Sequence, residues 1–183
     1  MIEHELKELK WNDSVTKSSP HPYVLCTTVD EKGRGNIIGL GWWTICSWSP
    51  PMMAISVAPG RYSKKCLDHC PEFVICLVGE EHAKGAWVCG TKSGKNVDDK
   101  FKEAGFTPVP SLQVKPPTIG ESILAYECAV RDKVETGDHI LYTGEVKAVR
   151  GVEGEKRHLF SIHYKKLISI GPDGTINFEL IHK

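Results

Sequence analysis

Arg61, Tyr62, Ser63 and Lys64 follow a Pro59-Gly60 break at the end of an apolar run, residues 52–58, and stand where a helix is expected to begin. Free backbone N–H groups at a helix start attract phosphate, the helix dipole adds to the field, and an arginine can grip two oxygens of one phosphate. Upstream, Trp42-Trp43-Thr44 opens a small, hydroxyl-rich bend that runs through Ile45, Cys46, Ser47 and Ser49 to Pro50-Pro51. Adjacent tryptophans at a strand end point to opposite faces, so one enters the core while the other walls a cavity or an interface. Thr44, Cys46 and Ser47 are small enough for close approach along the edge of a flat ring. An aromatic ring carrying a phosphate fits such a pair of features, and FMN is such a molecule. The same residues also suit an ordinary capped helix with solvated cations and a corner of core and turn residues. Both readings stay open at this level.

Gly90, Thr91, Lys92, Ser93, Gly94 and Lys95 form a polar loop. It fails the phosphate-loop pattern, because three residues rather than four separate its glycines and Asn96 follows the lysine. It still offers donors to a cofactor tail, or it is a plain surface loop. His139 opens a strand after the Gly137-Asp138 turn, a position from which an imidazole reaches a ligand at a barrel mouth or simply faces solvent. Cys66 and Cys70 share one helix face with His69 nearby, but no further ligands stand close by, and no metal site is expected. G-x-S-x-G, H-E-x-x-H and G-x-G-x-x-G are all missing, which suits a protein whose cofactor performs the reaction.

The elements that must position these residues read mostly as strands in hairpin pairs. Residues 23–29 and the run from Ile37 flank a turn at Asp30-Glu31-Lys32-Gly33; 52–57 and the continuous apolar 73–78 follow. Ser63 is expected to cap a helix over 64–70 that Pro71 stops, residues 80–88 read as helix, and Asn96 is expected to cap another over 97–104 that Gly105 closes. A proline-studded connector leads to a long hairpin, 123–134 with 139–149, and to strands over 166–170 and 176–180. Hairpins instead of βαβ alternation predict a mainly β fold, an antiparallel barrel with inserted helices, in one domain spanning 1–183.

The 23 basic and 23 acidic side chains cancel, which argues against nucleic acid or an anionic membrane surface as the main partner. No apolar run approaches a membrane span, and the charged N-terminus lacks the apolar stretch of a secretory signal, so a cytoplasmic location is expected. In a reducing compartment the seven cysteines are free thiols, most of them buried.

Taken in order, several pieces resemble one family: His21-Pro22-Tyr23-Val24-Leu25; Asn36 with Gly41-Trp42-Trp43-Thr44; Ser47-Trp48-Ser49-Pro50-Pro51; Pro59-Gly60-Arg61-Tyr62-Ser63; Cys89-Gly90-Thr91-Lys92-Ser93-Gly94; and Gly137-Asp138-His139. The chain resembles the flavin reductase-like, FMN-binding split-barrel proteins, particularly the flavoredoxin-type branch, over about Pro20 to Val149. Cys46 and Ser49 depart from that pattern, where aliphatic residues and Asp are common. The resemblance implies a Greek-key split barrel, usually a homodimer, with FMN near the subunit interface. It implies Trp43, Thr44, Ile45, Cys46 and Ser47 along the isoalloxazine and Arg61, Tyr62, Ser63 and Lys64 near the phosphate. Gly90, Thr91, Lys92 and Ser93 would close over the cofactor, and His139 would stand beside the flavin and nicotinamide. The expected activity is hydride transfer from NADH or NADPH to the flavin, with electrons passing to free flavin, a redox protein or a ferric complex. Two alternatives remain: an FMN-holding electron carrier without its own NAD(P)H site, and a non-flavin β-barrel binding module.

Overall fold

The computed structural model describes residues 6–154 and 157–181, the backbone alone from 177 to 181. The first five residues of the charged N-terminus lie outside that range. After helix α1 (Trp11–Lys17) come β1 (His21–Pro22), β2 (Val24–Val29), β3 (Gly35–Leu40), β4 (Trp43–Trp48) and β5 (Pro51–Val57). Helix α2 (Tyr62–His69) leads to β6 (Glu72–Val78), and a 3₁₀ turn, Glu80–His82, runs into α3 (Ala83–Thr91). A second 3₁₀ turn, Gly94–Asn96, precedes α4 (Lys100–Ala104). The connector holds β7 (Pro108–Val109) and β8 (Thr118–Ile119). Strands β9 (Ser122–Thr136) and β10 (His139–Gly151) form the long hairpin, and β11 (His158–Ile162), β12 (Lys166–Ile170) and β13 (Ile176–Ile181) follow.

The main sheet has the order β3-β2-β6-β9-β10-β5-β4, antiparallel throughout. Its two outermost strands, β3 and β4, are separated in the chain only by Gly41 and Trp42. A chain advances at most about 3.6 Å per residue. The two edges of a seven-stranded sheet are therefore drawn together, and the sheet curls into a barrel that stays split along this seam. Alternation along the strands sorts the core in two. Val24, Cys26, Phe73, Ile75, Met53, Ile55 and Tyr142 pack in one cluster. Tyr23, Leu25, Val74 and Cys76 pack in another, with Ala86 of α3, Phe101 of α4, and Leu159 and Leu167 of the smaller sheet β1-β11-β12-β13. The continuous apolar run 73–78 is thus a strand covered on both faces. Among the described residues no helix is long and apolar enough to cross a membrane.

Four local expectations are corrected. The hydroxyl-rich bend after Trp42 is an edge strand, β4, because Trp43 to Trp48 pair residue by residue with β5 around one bulge at Cys46. Ser63 does not cap α2. The N-cap is Arg61, and the Ser63 hydroxyl lies buried inside the first turn, accepting from Asn36 Nδ2 at 2.9 Å. Asn96 does not cap α4; the Asp99 carboxylate does, accepting the N–H groups of Phe101 and Lys102 at 2.9 and 3.0 Å. Gly90 and Thr91 are not loop but the last turn of α3. That helix runs on because the buried Lys100 ammonium takes up the carbonyls of Val88 (3.2 Å) and Lys92. Gly105, at φ +72°, closes α4 as expected.

Candidate functional site

Two clefts join along the seam of the barrel. The inner, polar one holds about 100 Å³ and lies between the start of β3, the start of α2 and the end of α3. Its lining includes Asn36, Gly60, Arg61, Tyr62, Ser63, Cys89, Gly90, Lys92, Ser93 and Gly94. The approach of α3 to β3 depends on two glycines. The Tyr23 hydroxyl, which donates to the Ala86 carbonyl at 3.2 Å, stands 1.8 Å from where a Cβ of Gly39 would sit and 2.4 Å from one on Gly90. A side chain at either place would push helix and strand apart.

The chemistry of this cleft is set by groups left without partners. Among the described residues no side chain caps α2; the Lys64 N–H is taken by the Arg61 carbonyl at 3.0 Å, and the N–H groups of Tyr62 and Ser63, which line the cleft, are left uncapped with the helix dipole behind them. Arg61 makes no ion pair among the described residues. Asn36 is only 3% exposed; its Nδ2 donates to Thr28 Oγ1 (3.1 Å) and Ser63 Oγ (2.9 Å), and its Oδ1 has no partner. Both hydroxyls can also donate, so turning the amide over would keep both bonds and leave an N–H₂ unpartnered instead. In either orientation one polar end of a buried amide has no hydrogen-bond partner among the described residues, and burying it unpaired is costly. A Cβ on Gly94 would lie 2.0 Å from that Oδ1, so only glycine fits against this end of the amide.

Two neighbours set the start of α2. Burial raises the pKa of the Asp30 carboxyl. The N–H groups of Arg34 and Lys32, the Arg34 guanidinium and the Tyr62 hydroxyl outweigh it and bring the group from 3.8 to about 2. Tyr62 donates to Asp30 at 3.0 Å, so its hydroxyl braces the helix start and is not free for a ligand. The Cys89 thiol is pushed up to about 12 by burial and stays protonated at neutral pH.

The outer cleft, about 250 Å³, is larger and less polar. The end of β3 forms one wall (Ile38 to Trp42), and the end of β5 with its continuation (Ser56, Val57, Ala58) forms the other; Arg61, Gly90, His139 and Tyr164 complete it. The His139 ring lies 4.7 Å from that of Trp42, and its Nδ1 meets the Asp138 carboxylate at 2.7 Å. Trp42 Nε1–H donates to the Tyr164 hydroxyl at 2.5 Å. Gly137, at φ +67°, makes the two-residue turn that delivers His139 to the rim, a backbone angle L side chains rarely adopt.

Of the residues expected from sequence, Arg61, Tyr62, Ser63, Gly90, Lys92, Ser93 and His139 are brought together here. Lys92 lines the cleft, but its ammonium pairs with Glu103. Lys64 lies outside it, bound to Asp68 at 2.6 Å, and the Thr91 hydroxyl is turned back onto the Trp87 carbonyl at 2.9 Å. Trp43 to Ser47 do not line the joined clefts. Trp43 packs on the core and donates to the Pro22 carbonyl at 3.0 Å. Ile45 and Ser47 line a separate apolar groove of about 330 Å³ with Trp48, Met52, Tyr126 and Val149. Sequence reasoning assigned no site role to Asn36 or Tyr164, offered Gly94 only as part of the polar loop, and left open which of Trp42 and Trp43 would wall a cavity. The doubled tryptophan was the available signal for Trp42; for Tyr164 there was none.

Comparison with known proteins agrees with this architecture. Residues 16–167 match the family described as flavin reductase like domain. A protein of Pyrococcus abyssi, itself uncharacterized, is 36% identical over 129 residues, covering 69% of this chain and 73% of that one. The flavoredoxin of Desulfovibrio vulgaris (Miyazaki F) is similar in structure with a TM-score of 0.72, at 29% identity over 91% of both chains. The NADH:FAD oxidoreductase of Streptomyces globisporus, solved with NAD and FAD fragments, gives a TM-score of 0.77 at 20% identity over 94% of this chain and 100% of that one, a likeness of fold alone. With the match spanning both the barrel and the residues that form its seam, the chain belongs to the flavin reductase-like family.

Proposed function

We propose that the joined clefts hold FMN and that the protein is an oxidoreductase drawing hydride from NADH or NADPH. The observation that carries this is the buried Asn36 amide, one end unpartnered, beside an uncapped helix start and an unpaired arginine. Such a set asks for a ligand with both hydroxyl groups and a phosphate, which the ribityl phosphate of FMN provides. Arg61 and the first N–H groups of α2 would hold the phosphate, with Ser93 at its edge. Asn36 would bind a ribityl hydroxyl, and Trp42, Ser56 to Ala58, His139 and Tyr164 would enclose the ring. When bound, FMN supplies a two-electron acceptor for the nicotinamide hydride. The chain's part is to orient the two rings and exclude water. His139, held by Asp138, would position the nicotinamide side. His139→Ala is expected to slow anaerobic flavin reduction more than it weakens FMN binding; an unchanged stopped-flow rate would remove His139 from the reaction.

The partner surface is the groove on β4. Trp48 is 91% exposed there, Ile45 and Val149 are exposed beside it, and among the described residues no strand pairs with the outer edge of β4. A second copy of the chain, forming a homodimer, would cover both the apolar side chains and the edge. Electrons would leave to free flavin, a redox protein or a ferric complex. Mixing the yellow protein with NADH or NADPH without oxygen tests the reading: prompt bleaching is expected. A yellow protein that neither nucleotide bleaches would be an electron carrier, and a colourless one that takes up no FMN would be a binding module of another kind.

A further inference from the structure

The hairpin between β11 and β12 turns on His163 and Tyr164, whose φ angles are +53° and +55°. Ile162 pairs with Lys166, so the loop has three residues, and within it the Lys165 N–H closes a turn onto the Ile162 carbonyl at 3.0 Å; turns of this hand are built mostly from Asn and Gly, because both central residues occupy the left-handed region. A bulky His-Tyr pair is strained there and persists only when its surroundings enforce it. The surroundings come from the N-terminal segment. The Thr16 carbonyl accepts from His163 Nδ1 at 2.7 Å, which requires the proton to sit on Nδ1. The Ser19 hydroxyl accepts the His163 backbone N–H at 2.9 Å. The His21 ring stacks on Tyr164 with centroids 5.7 Å apart and planes inclined by 17°. Helix α1 buries none of its own residues, so its seat depends on contacts such as these.

We propose that His163 is a positioning residue. It latches the segment from α1 to β1 onto the hairpin and thereby sets Tyr164 over the outer cleft, so that docking of α1 and occupancy of the cleft are coupled. Tyr164 is the link, since it lines the cleft on one side and receives Trp42 Nε1–H and the His21 ring on the other. The choice of FMN as probe rests on the flavin reading above; the latch does not.

Millisecond hydrogen exchange on the full chain tests it, with and without FMN. In the free protein His163→Ala is expected to speed exchange of residues 11–18 and 160–166 about five- to tenfold, the loss of a single net hydrogen bond. His163→Asn restores protection, because its Nδ2 stands where Nδ1 stood and asparagine tolerates the left-handed backbone. His163→Gln, with its amide one carbon further out, does not. Added FMN slows exchange of 11–18 in the natural chain and in H163N, although α1 does not line the cleft, and leaves 11–18 unaffected in H163A. Equal exchange of 11–18 in H163A and the natural chain overturns the latch. FMN protection confined to 160–166 overturns the coupling. Failure to bind FMN at all sinks the flavin reading alone, and the contrast of alanine with asparagine in the free protein still decides the latch.

Discussion

The seam cleft and the β4 groove are built on the same sheet and differ in what they leave unsatisfied. In the cleft the loose ends are polar and few: an amide end at Asn36, an uncapped helix start, and a guanidinium at Arg61. In the groove they are carbon: Ile45, Trp48, Met52 and Val149, beside a strand edge. The first arrangement demands a partner with matching hydrogen bonds in matching places, which is how small molecules are recognised. The second demands area and a strand or flat surface, which is how chains associate. The residues expected from Trp43 to Ser93 thus line two surfaces, and under the proposed function those surfaces take different occupants.

The separation can be broken from either side. Trp48→Glu places a charge in the middle of the groove and is expected to cost the proposed homodimer about 2–4 kcal/mol. Sedimentation would show monomer; a variant that still sediments as a dimer would place the interface elsewhere. Arg61→Ala is expected to weaken FMN by about 1.5–3 kcal/mol, the value of hydrogen bonds to a charged group. It should leave riboflavin, which has no phosphate, bound as before and the sedimentation unchanged. Equal losses for both flavins would move the phosphate away from Arg61. Gly94→Ala puts a methyl group against Asn36 Oδ1 and is expected to weaken FMN and riboflavin alike by about 1–3 kcal/mol. Calorimetric titration separates the three patterns.

The smallest effect concerns pH. The carboxyl of Asp30 is lowered in the folded chain, so its contribution to stability is present above its ordinary value of 3.8 and is lost as pH falls toward about 2. Because Asp30 braces Tyr62 and Arg34 at the start of α2, melting temperature should fall over that window in the natural chain and more shallowly in Asp30→Asn. Parallel pH profiles would mean that Asp30 does not hold this corner.

Much of this was legible in the chain. Strands β2, β3, β5, β6, β9 and β10 announce themselves through β-branched runs and turn residues. Gly105 and the Gly137-Asp138 turn mark their own backbone angles. Arg61 could be placed because a Pro-Gly break before a polar, basic run signals a helix start. Strand β11 could not be seen, because one of its inward residues is Ser161, buried beside Leu159, and a polar residue on the core face erases the alternation. Tyr164 could not be seen because its turn carries neither Gly nor Asn. The helical state of Gly90 and Thr91 was hidden because Lys100, eight residues beyond Lys92, supplies the charge that prolongs α3. Asn36 reads as a strand residue like any other. Only the fold reveals that Thr28 and Ser63 bond one end of its amide and that the other end, buried against Gly94, has no hydrogen-bond partner among the described residues.

The most direct test of the central claim is a titration of the apoprotein with FMN, followed by flavin fluorescence, in the natural chain and in Asn36→Leu. The account predicts saturable quenching at equal stoichiometry in the natural chain and at least about a tenfold weaker affinity in the variant, from loss of the buried amide. Fluorescence that stays that of free FMN in the natural chain, or identical affinity in both, would contradict it.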